Sequence, residues 1–169
     1  VGLLTGHLAA RLPGSEVTIV DVDTSRQSLA ETLGARFAAP SEAPRGADLV
    51  FHTTASGAGL GTALACAGFE AAVVEMSWYG DKQIEAGFGA TFHSQRLRLV
   101  SSQVGSVAPS RRPRWPHRRR LEAAILLLDR PELDALVNNE IAFDDVVEKM
   151  PAILAPDATG LPPVIRYTG

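Results

Sequence analysis

The stretch Val17-Thr18-Ile19-Val20-Asp21-Val22-Asp23 decides the fold. Four apolar or β-branched residues run into an acidic residue without helical spacing, which predicts a short, fully buried strand that ends at Asp21. A helix-like segment precedes it, from Val1 to Leu12, and a second helix follows, from about Ser25 to Leu33, with Thr24-Ser25 as its expected cap. A carboxylate at the end of a buried strand, about 20 residues after a glycine at a helix start, is typical of folds that bind a dinucleotide. That glycine would be Gly2.

Strands and helices continue to alternate along the first hundred residues. This alternation predicts an α/β fold, a doubly wound parallel sheet of the Rossmann type with helices on both faces. The chain has no initial Met and opens directly in a helix, so we expect the first strand of the sheet, and everything before it, to lie outside this sequence. The segment Gly34–Ala38 is predicted to be a helix stop and a short strand. The further predicted strands are Asp48–Thr54, Ala71–Ser77 and Arg96–Ser102, with a helix at Ala58–Gly68 and a polar loop at Pro40–Gly46.

The character of the sequence changes after Ser102, where residues 105–120 are rich in Pro and Arg. Helices are predicted at about Arg118–Leu128 and Phe143–Leu154, and a last strand at Pro163–Tyr167. We therefore expect a division into residues 1–115 and residues 116–169.

Composition restricts the class of protein. A chain of 169 residues that is 46% hydrophobic can bury one good core. The net charge of −3 makes the whole molecule an improbable nucleic-acid binder. A single cysteine, Cys66, permits no internal disulfide and fits a cytoplasmic location. No apolar run reaches the roughly 18 residues needed to span a membrane.

No catalytic constellation is evident from residue order alone. The four histidines, His7, His52, His93 and His117, have no Cys, Glu or second His at metal-ligand spacing. Cys66 lies on an apolar helix face and is expected in the core, together with Leu60 and Leu64 of the same predicted helix. The glycines of the 57–61 segment could form a phosphate loop, but a tight turn explains them equally well.

The basic run Arg111–Arg120 holds six of the 16 lysines and arginines. Three interpretations are open: a solvated loop before a basic helix start, which we favour, a rim that attracts an anionic substrate or phosphate, and a nucleic-acid contact surface.

Several short motifs, taken in order, resemble the cofactor domain of the zinc-type medium-chain alcohol dehydrogenases. The resemblance covers essentially the whole chain. The matching pieces are Val1-Gly2 before a helix, Val20-Asp21 followed by Arg26, Leu33-Gly34-Ala35, Gly46-Ala47-Asp48, Val73 to Gly80, and a tail from Leu133 to Tyr167.

The resemblance implies a cofactor site. Gly2 would be the last glycine of the family's G-x-G-x-x-G motif, Asp21 would bind the adenosine ribose hydroxyls, and Arg26 would lie over the adenine side. The family often has glycine where Ser77 stands. The walls near the cofactor and the nicotinamide would be formed by Thr53, Thr54, Met76, Ser77 and Trp78.

The implied function is hydride transfer between a nicotinamide and an alcohol/carbonyl pair. NAD is expected over NADP, because the Asp21 carboxylate would repel a 2′-phosphate. Residues 1–115 would bind NAD, and residues 116–169 would pack partly on an N-terminal catalytic domain absent from this sequence. That domain would hold the family's zinc ligands, so neither catalytic residues nor metal ligands are expected here. The full-length protein would be a homo-oligomer.

Two alternatives stay open. One is a zinc-free, quinone-reductase-like oxidoreductase. The other, from a different class, is a non-catalytic nucleotide-binding or interaction module that uses the basic run Arg111–Arg120 as its contact surface.

Overall fold

The structure is a computed structural model that describes residues 1–137, 139–155, 158 and 160–167. It divides into two compact units, Val1–Val107 and Ala108–Gly169. The functional boundary expected after residue 115 stays a prediction.

The first unit alternates helices and strands, as the sequence predicts. Its helices are α1 (Gly2–Ala10), α2 (Gln27–Thr32), α3 (Gly57–Cys66) and the single turn α4 (Thr91–Ser94). Its strands are β1 (Thr18–Val20), β2 (Arg36–Ala38), β3 (Ala47–His52), β4 (Ala67–Glu75) and β5 (Arg98–Ser101). Short 3-10 turns at Thr24–Arg26 and Pro40–Glu42 complete the described elements.

These strands form two parallel sheets. One is the pair β1-β2, and the other has the order β3-β4-β5. Among the described residues no strand lies between β1 and β3, so each of them keeps one edge unpaired. A doubly wound sheet has its first strand at this position. The predicted Rossmann-type α/β class is confirmed.

Helix α1 packs against both sheets through glycines. A Cβ on Gly6 would lie 2.4 Å from Cδ1 of Ile19, on β1, and a Cβ on Gly2 would lie 2.8 Å from Oγ1 of Thr53, just after β3. The helix backbone can therefore approach both positions closely only because side chains are absent there.

Two local predictions need correction. Strand β1 is half-buried rather than fully buried, because one of its edges has no neighbouring strand among the described residues. The turn that follows it is capped by Asp23, whose carboxylate accepts the backbone N–H of Ser25, and not by Thr24 or Ser25. The acidic side chain accepts this bond readily because it is ionised.

The main core of the first unit lies between α3 and the larger sheet. Leu60 and Leu64 are 3% and 2% exposed, and Val73 of β4 is fully buried. The predicted core positions Leu60, Leu64 and Cys66 are confirmed. Burial raises the pKa of the Cys66 thiol, and nearby Arg45 opposes this only in part, so the thiol is a packing group.

In its described residues the second unit contains two helices and a small parallel sheet. The helices are α5 (His117–Leu128) and α6 (Val146–Ile153), with one 3-10 turn after α5 at Pro131–Leu136 and another directly before α6 at Phe143–Asp145. The strands are β6 (Glu140–Ala142) and β7 (Val164–Arg166), with Ile141 opposite Ile165.

Candidate functional site

Asp21 follows β1 directly and is held by two hydrogen bonds. Its Oδ1 accepts the backbone N–H of Asp23 at 3.0 Å, and its Oδ2 pairs with Nη1 of Arg26 at 2.9 Å. Its side chain is 22% exposed. A carboxylate has about four lone-pair sites, so Asp21 retains acceptor capacity for hydroxyl groups of a ligand.

Arg26 lies between two carboxylates. Its Nε is 3.1 Å from Oδ2 of Asp23, in addition to its bond with Asp21. All three side chains are between 21% and 29% exposed. The predicted pair Asp21 and Arg26 is therefore in direct contact, and a third residue, Asp23, completes the cluster.

A second group of polar side chains gathers where β3 and β4 end. Parallel strands place their carboxyl ends at one edge of the sheet, and this edge is where open α/β sheets bind ligands. The backbone N–H of Met76 donates to the carbonyl of His52 at 2.9 Å, which joins the two strand ends. His52 itself is only 3% exposed.

Both ring nitrogens of His52 have partners. Nδ1 is 2.7 Å from Oε2 of Glu75, and Nε2 is 2.8 Å from Oγ1 of Thr54. Because an ionised carboxylate can only accept, Nδ1 carries a proton that it donates to Glu75. The hydrogen-bond network continues from the hydroxyl of Thr54 to the hydroxyl of Ser56 at 3.1 Å. Ser56 caps α3 by accepting the backbone N–H of Gly59.

When the imidazole is neutral, the hydrogen bonds of this network all point the same way. Ser56 donates to Thr54, Thr54 donates to His52, and His52 donates to Glu75. Hydrogen bonds aligned in one direction polarise and strengthen one another. We call the group of His52, Thr54, Ser56, Glu75 and Tyr79 the His52 cluster.

Glu75 is the charged end of the His52 cluster. It accepts the Tyr79 hydroxyl at 3.0 Å and the Ser77 backbone N–H at 2.8 Å. Burial alone would raise the pKa of Glu75, but the hydrogen bonds from His52, Ser77 and Tyr79 outweigh burial, so its pKa lies below its ordinary value. Burial, together with the bond to Glu75 and its charge, raises the pKa of Tyr79 to about 12.

Ser77 connects the two strand ends. Its hydroxyl oxygen accepts the backbone N–H of Ala55 at 3.0 Å, and its hydroxyl donates to the carbonyl of His52 at 3.4 Å. Ala55 has a φ of +49°, a backbone conformation that L residues rarely adopt. The serine at position 77 thus holds a strained turn after β3, which a glycine could not do.

The structure brings the predicted site residues into two groups, with Asp21 and Arg26 in the first. In the second group Thr53 contacts Gly2, and Thr54, Met76 and Ser77 meet through His52. Trp78 is 89% exposed. Their roles toward a cofactor stay predictions.

Sequence reasoning missed Asp23 and the pairing of His52 with Glu75. His52 and Glu75 are 23 residues apart and meet because β3 and β4 pair in parallel with these two residues opposite each other. The available signal was an ionisable residue near the end of each of two adjacent predicted strands.

In the second unit, the basic run has local partners. The guanidinium of Arg119 lies 4.4 Å from the ring centroid of Trp115 and donates to the carbonyl of Arg114. Arg118 pairs with Glu122 one helical turn later. These contacts are typical of a solvated helix start.

Two other functional features are absent from the described residues. No group of three or more His, Cys, Asp or Glu side chains could hold a metal ion there. No helix in that part of the chain is long and apolar enough to cross a membrane.

Three solved structures illustrate the proteins that this chain resembles in fold. The 2R,3R-butanediol dehydrogenase of Bacillus subtilis matches with a TM-score of 0.71 and 18% identity, over 97% of this chain and 47% of its own. The Bacillus subtilis protein yhfP with NAD bound matches with a TM-score of 0.66 and 15% identity, over 98% of this chain and 50% of its own. The yhdH oxidoreductase of Salmonella enterica in complex with NADP matches with a TM-score of 0.63 and 19% identity, over 98% of this chain and 49% of its own.

The chain spans about half the length of each of these solved structures. No family model matches the sequence, and the search of curated proteins found no match. At these identities the comparisons establish the fold. They confirm, at the level of fold, the resemblance to alcohol dehydrogenases drawn from the sequence motifs.

Proposed function

We propose that this chain is the nicotinamide-cofactor-binding portion of a larger alcohol dehydrogenase-like oxidoreductase. The observation that carries the proposal is Asp21, a partly buried carboxylate with spare acceptor capacity at the carboxyl end of β1. The fold, shared with structures that bind NAD or NADP, supports it.

The residues present fit the adenosine end of a dinucleotide. The Asp21 carboxylate can accept a ribose hydroxyl in a charge-assisted bond, typically worth about 1.5–3 kcal/mol. Gly2 leaves space beside Thr53 that a Cβ would fill, so the start of α1 can lie close to the end of β3. When bound, the nicotinamide supplies hydride chemistry, and this chain's residues bind and orient it.

The complete enzyme would transfer hydride between the cofactor and an alcohol/carbonyl pair. A zinc ion held outside this chain would polarise the substrate oxygen, as in the family that the motifs resemble. The zinc-free, quinone-reductase-like alternative uses the same cofactor residues and differs only in the absent half. Metal analysis of the complete protein decides between the two.

The experiment for this function is cofactor binding and turnover in the complete protein. We expect NAD to give the higher kcat/KM, because Asp21 faces a hydroxyl in NAD and a phosphate in NADP. Asp21→Ser should narrow or reverse the ratio of the two kcat/KM values. Asp48→Asn, which removes one negative charge from β3, is the matched control and should leave the ratio unchanged. If wild type prefers NADP, or if Asp21→Ser leaves the ratio alone, Asp21 is not the ribose ligand.

The role of the basic run in this enzyme is a separate proposal. If it attracts an anionic substrate, neutralising Arg111 and Arg114 should raise KM, and the increase should shrink with added salt. Unchanged kinetics at low ionic strength would support the solvated-loop interpretation instead. The non-catalytic interaction module requires salt-sensitive nucleic-acid binding by the same run.

A further inference from the structure

Asp23 is an acidic residue to which neither the sequence motifs nor the proposed function assigns a role. It lies two residues after Asp21, in the turn where β1 ends. Its side chain does two things: Oδ1 accepts the Ser25 backbone N–H at 3.1 Å, and Oδ2 faces Nε of Arg26 at 3.1 Å. The first contact caps the turn, and the second contact is electrostatic.

The pairing of Arg26 with two carboxylates limits the ability of this arginine to bind a phosphate. In dinucleotide folds, an arginine near the acidic residue that binds the ribose can bind the 2′-phosphate of NADP. Here the guanidinium uses Nη1 for Asp21 and Nε for Asp23, and its side chain is 29% exposed. A phosphate bound by the side-on fork of Nε and one Nη would displace the Asp23 carboxylate, and a phosphate bound by the end-on fork of Nη1 and Nη2 would share Nη1 with Asp21.

The net charge of Asp21, Asp23 and Arg26 also disfavours a bound 2′-phosphate. Two carboxylates and one guanidinium give the cluster a net charge of −1, at side chains that are 21–29% exposed. A 2′-phosphate would bring a charge of roughly −2. Removing the Asp23 charge would leave one of these two carboxylates, Asp21, beside Arg26, and the net charge of the three side chains would become zero.

We propose that Asp23 is a residue that determines cofactor preference, because it holds Arg26 away from a 2′-phosphate. Asp21 repels the phosphate by its own charge. Asp23 keeps Arg26 from binding the phosphate and offsetting this repulsion. This inference rests on the proposed function. It goes beyond that function because it assigns the selectivity to the pair Asp23–Arg26 in addition to Asp21.

The test uses the complete protein and two nucleotides that differ only in the 2′-phosphate, adenosine 5′-monophosphate and adenosine 2′,5′-bisphosphate. Their dissociation constants are measured by calorimetry. Asp23→Asn removes the charge and keeps a good turn cap. We expect it to improve the affinity for the bisphosphate, relative to the monophosphate, by at least about tenfold. The double variant Asp23→Asn/Arg26→Gln should lose this gain, and Asp48→Asn should show none.

Three results would be decisive. A relative affinity for Asp23→Asn within about twofold of wild type would overturn the inference, as would a gain that persists in the double variant. In both cases the proposed function would survive, because the monophosphate still binds. Failure of wild type to bind either nucleotide would overturn the proposed function itself. Asp23→Ser, which also caps, repeats the test if Asp23→Asn does not fold.

Discussion

Replacing Glu75 with glutamine tests whether the His52 cluster stabilises the fold. Glu75 uses both carboxylate oxygens as acceptors: Oε2 for His52 and Tyr79, and Oε1 for the Ser77 backbone N–H. Glutamine has the same shape, but one of these positions becomes an NH2 donor. With His52 in the tautomer described above, either amide orientation therefore places a donor against a donor.

The expected cost follows from burial. The side chains of His52 and Glu75 are 2% and 15% exposed, so water cannot fully replace the lost acceptor. A buried donor left without a partner costs about 1–3 kcal/mol, and the remaining bonds lose their charge assistance. We expect Glu75→Gln to lower the free energy of unfolding by about 2–3 kcal/mol at neutral pH.

Urea unfolding followed by circular dichroism measures this difference. The matched control is Glu70→Gln. Glu70 pairs with Arg96, but the two side chains are 54% and 72% exposed, so the change should be below about 1 kcal/mol.

The pH dependence provides a second check. The pKa of Glu75 is lowered in the folded protein, so its stabilisation is present above the ordinary carboxyl pKa and is lost as the pH falls through the folded value. The difference between wild type and Glu75→Gln should therefore shrink in acid. A variant as stable as wild type at neutral pH, or a difference that persists in acid, would refute the reasoning.

Two further predictions concern the same cluster. In a Tyr167→Phe background the only phenol is Tyr79, and its near-ultraviolet titration should give a pKa of about 12. Because this pKa lies above the ordinary value, the free energy of unfolding should fall as the pH rises from about 10 toward the folded pKa. Titration of Tyr79 at the ordinary value would contradict its bond to Glu75. Gly59→Ala should destabilise the protein by about 1–3 kcal/mol, since its Cβ would lie 2.1 Å from Oγ1 of Thr54. Gly61→Ala is the control: with nothing within 4 Å of its Cβ, it should be neutral or stabilising by up to about 1 kcal/mol. Equal effects of the two substitutions in urea unfolding would contradict the close packing of Gly59 against Thr54.

Local patterns in the sequence were enough to predict most helices and strands. Leu60 and Leu64 repeat at helical spacing and are buried, and the run before Asp21 forms β1. The half-burial of β1 depends on which strands are its neighbours, which the apolar run Val17–Val20 by itself does not specify. Strand β6, which has only three residues, carries too little pattern to be recognised without its partner β7.

Residues of the candidate site could be grouped from the sequence only where they are close along the chain. Asp21 and Arg26 are five residues apart and are in contact in the structure, while their roles toward a cofactor stay predictions. The His52–Glu75 pair depends on the register of β3 against β4, which no single stretch of sequence specifies.

The His52–Glu75 bond also bears on the order in which the chain folds. It closes a segment of 23 residues that contains six of the seven members of the main core cluster, from Leu60 to Val73. Closing so short a loop costs little chain entropy, and contacts between residues near in sequence form quickly. We therefore expect the segment from β3 to β4 to be structured in the folding transition state, with high φ-values at Leu64 and Val73 and a low one at Ile19, and the smaller sheet to form on it afterwards.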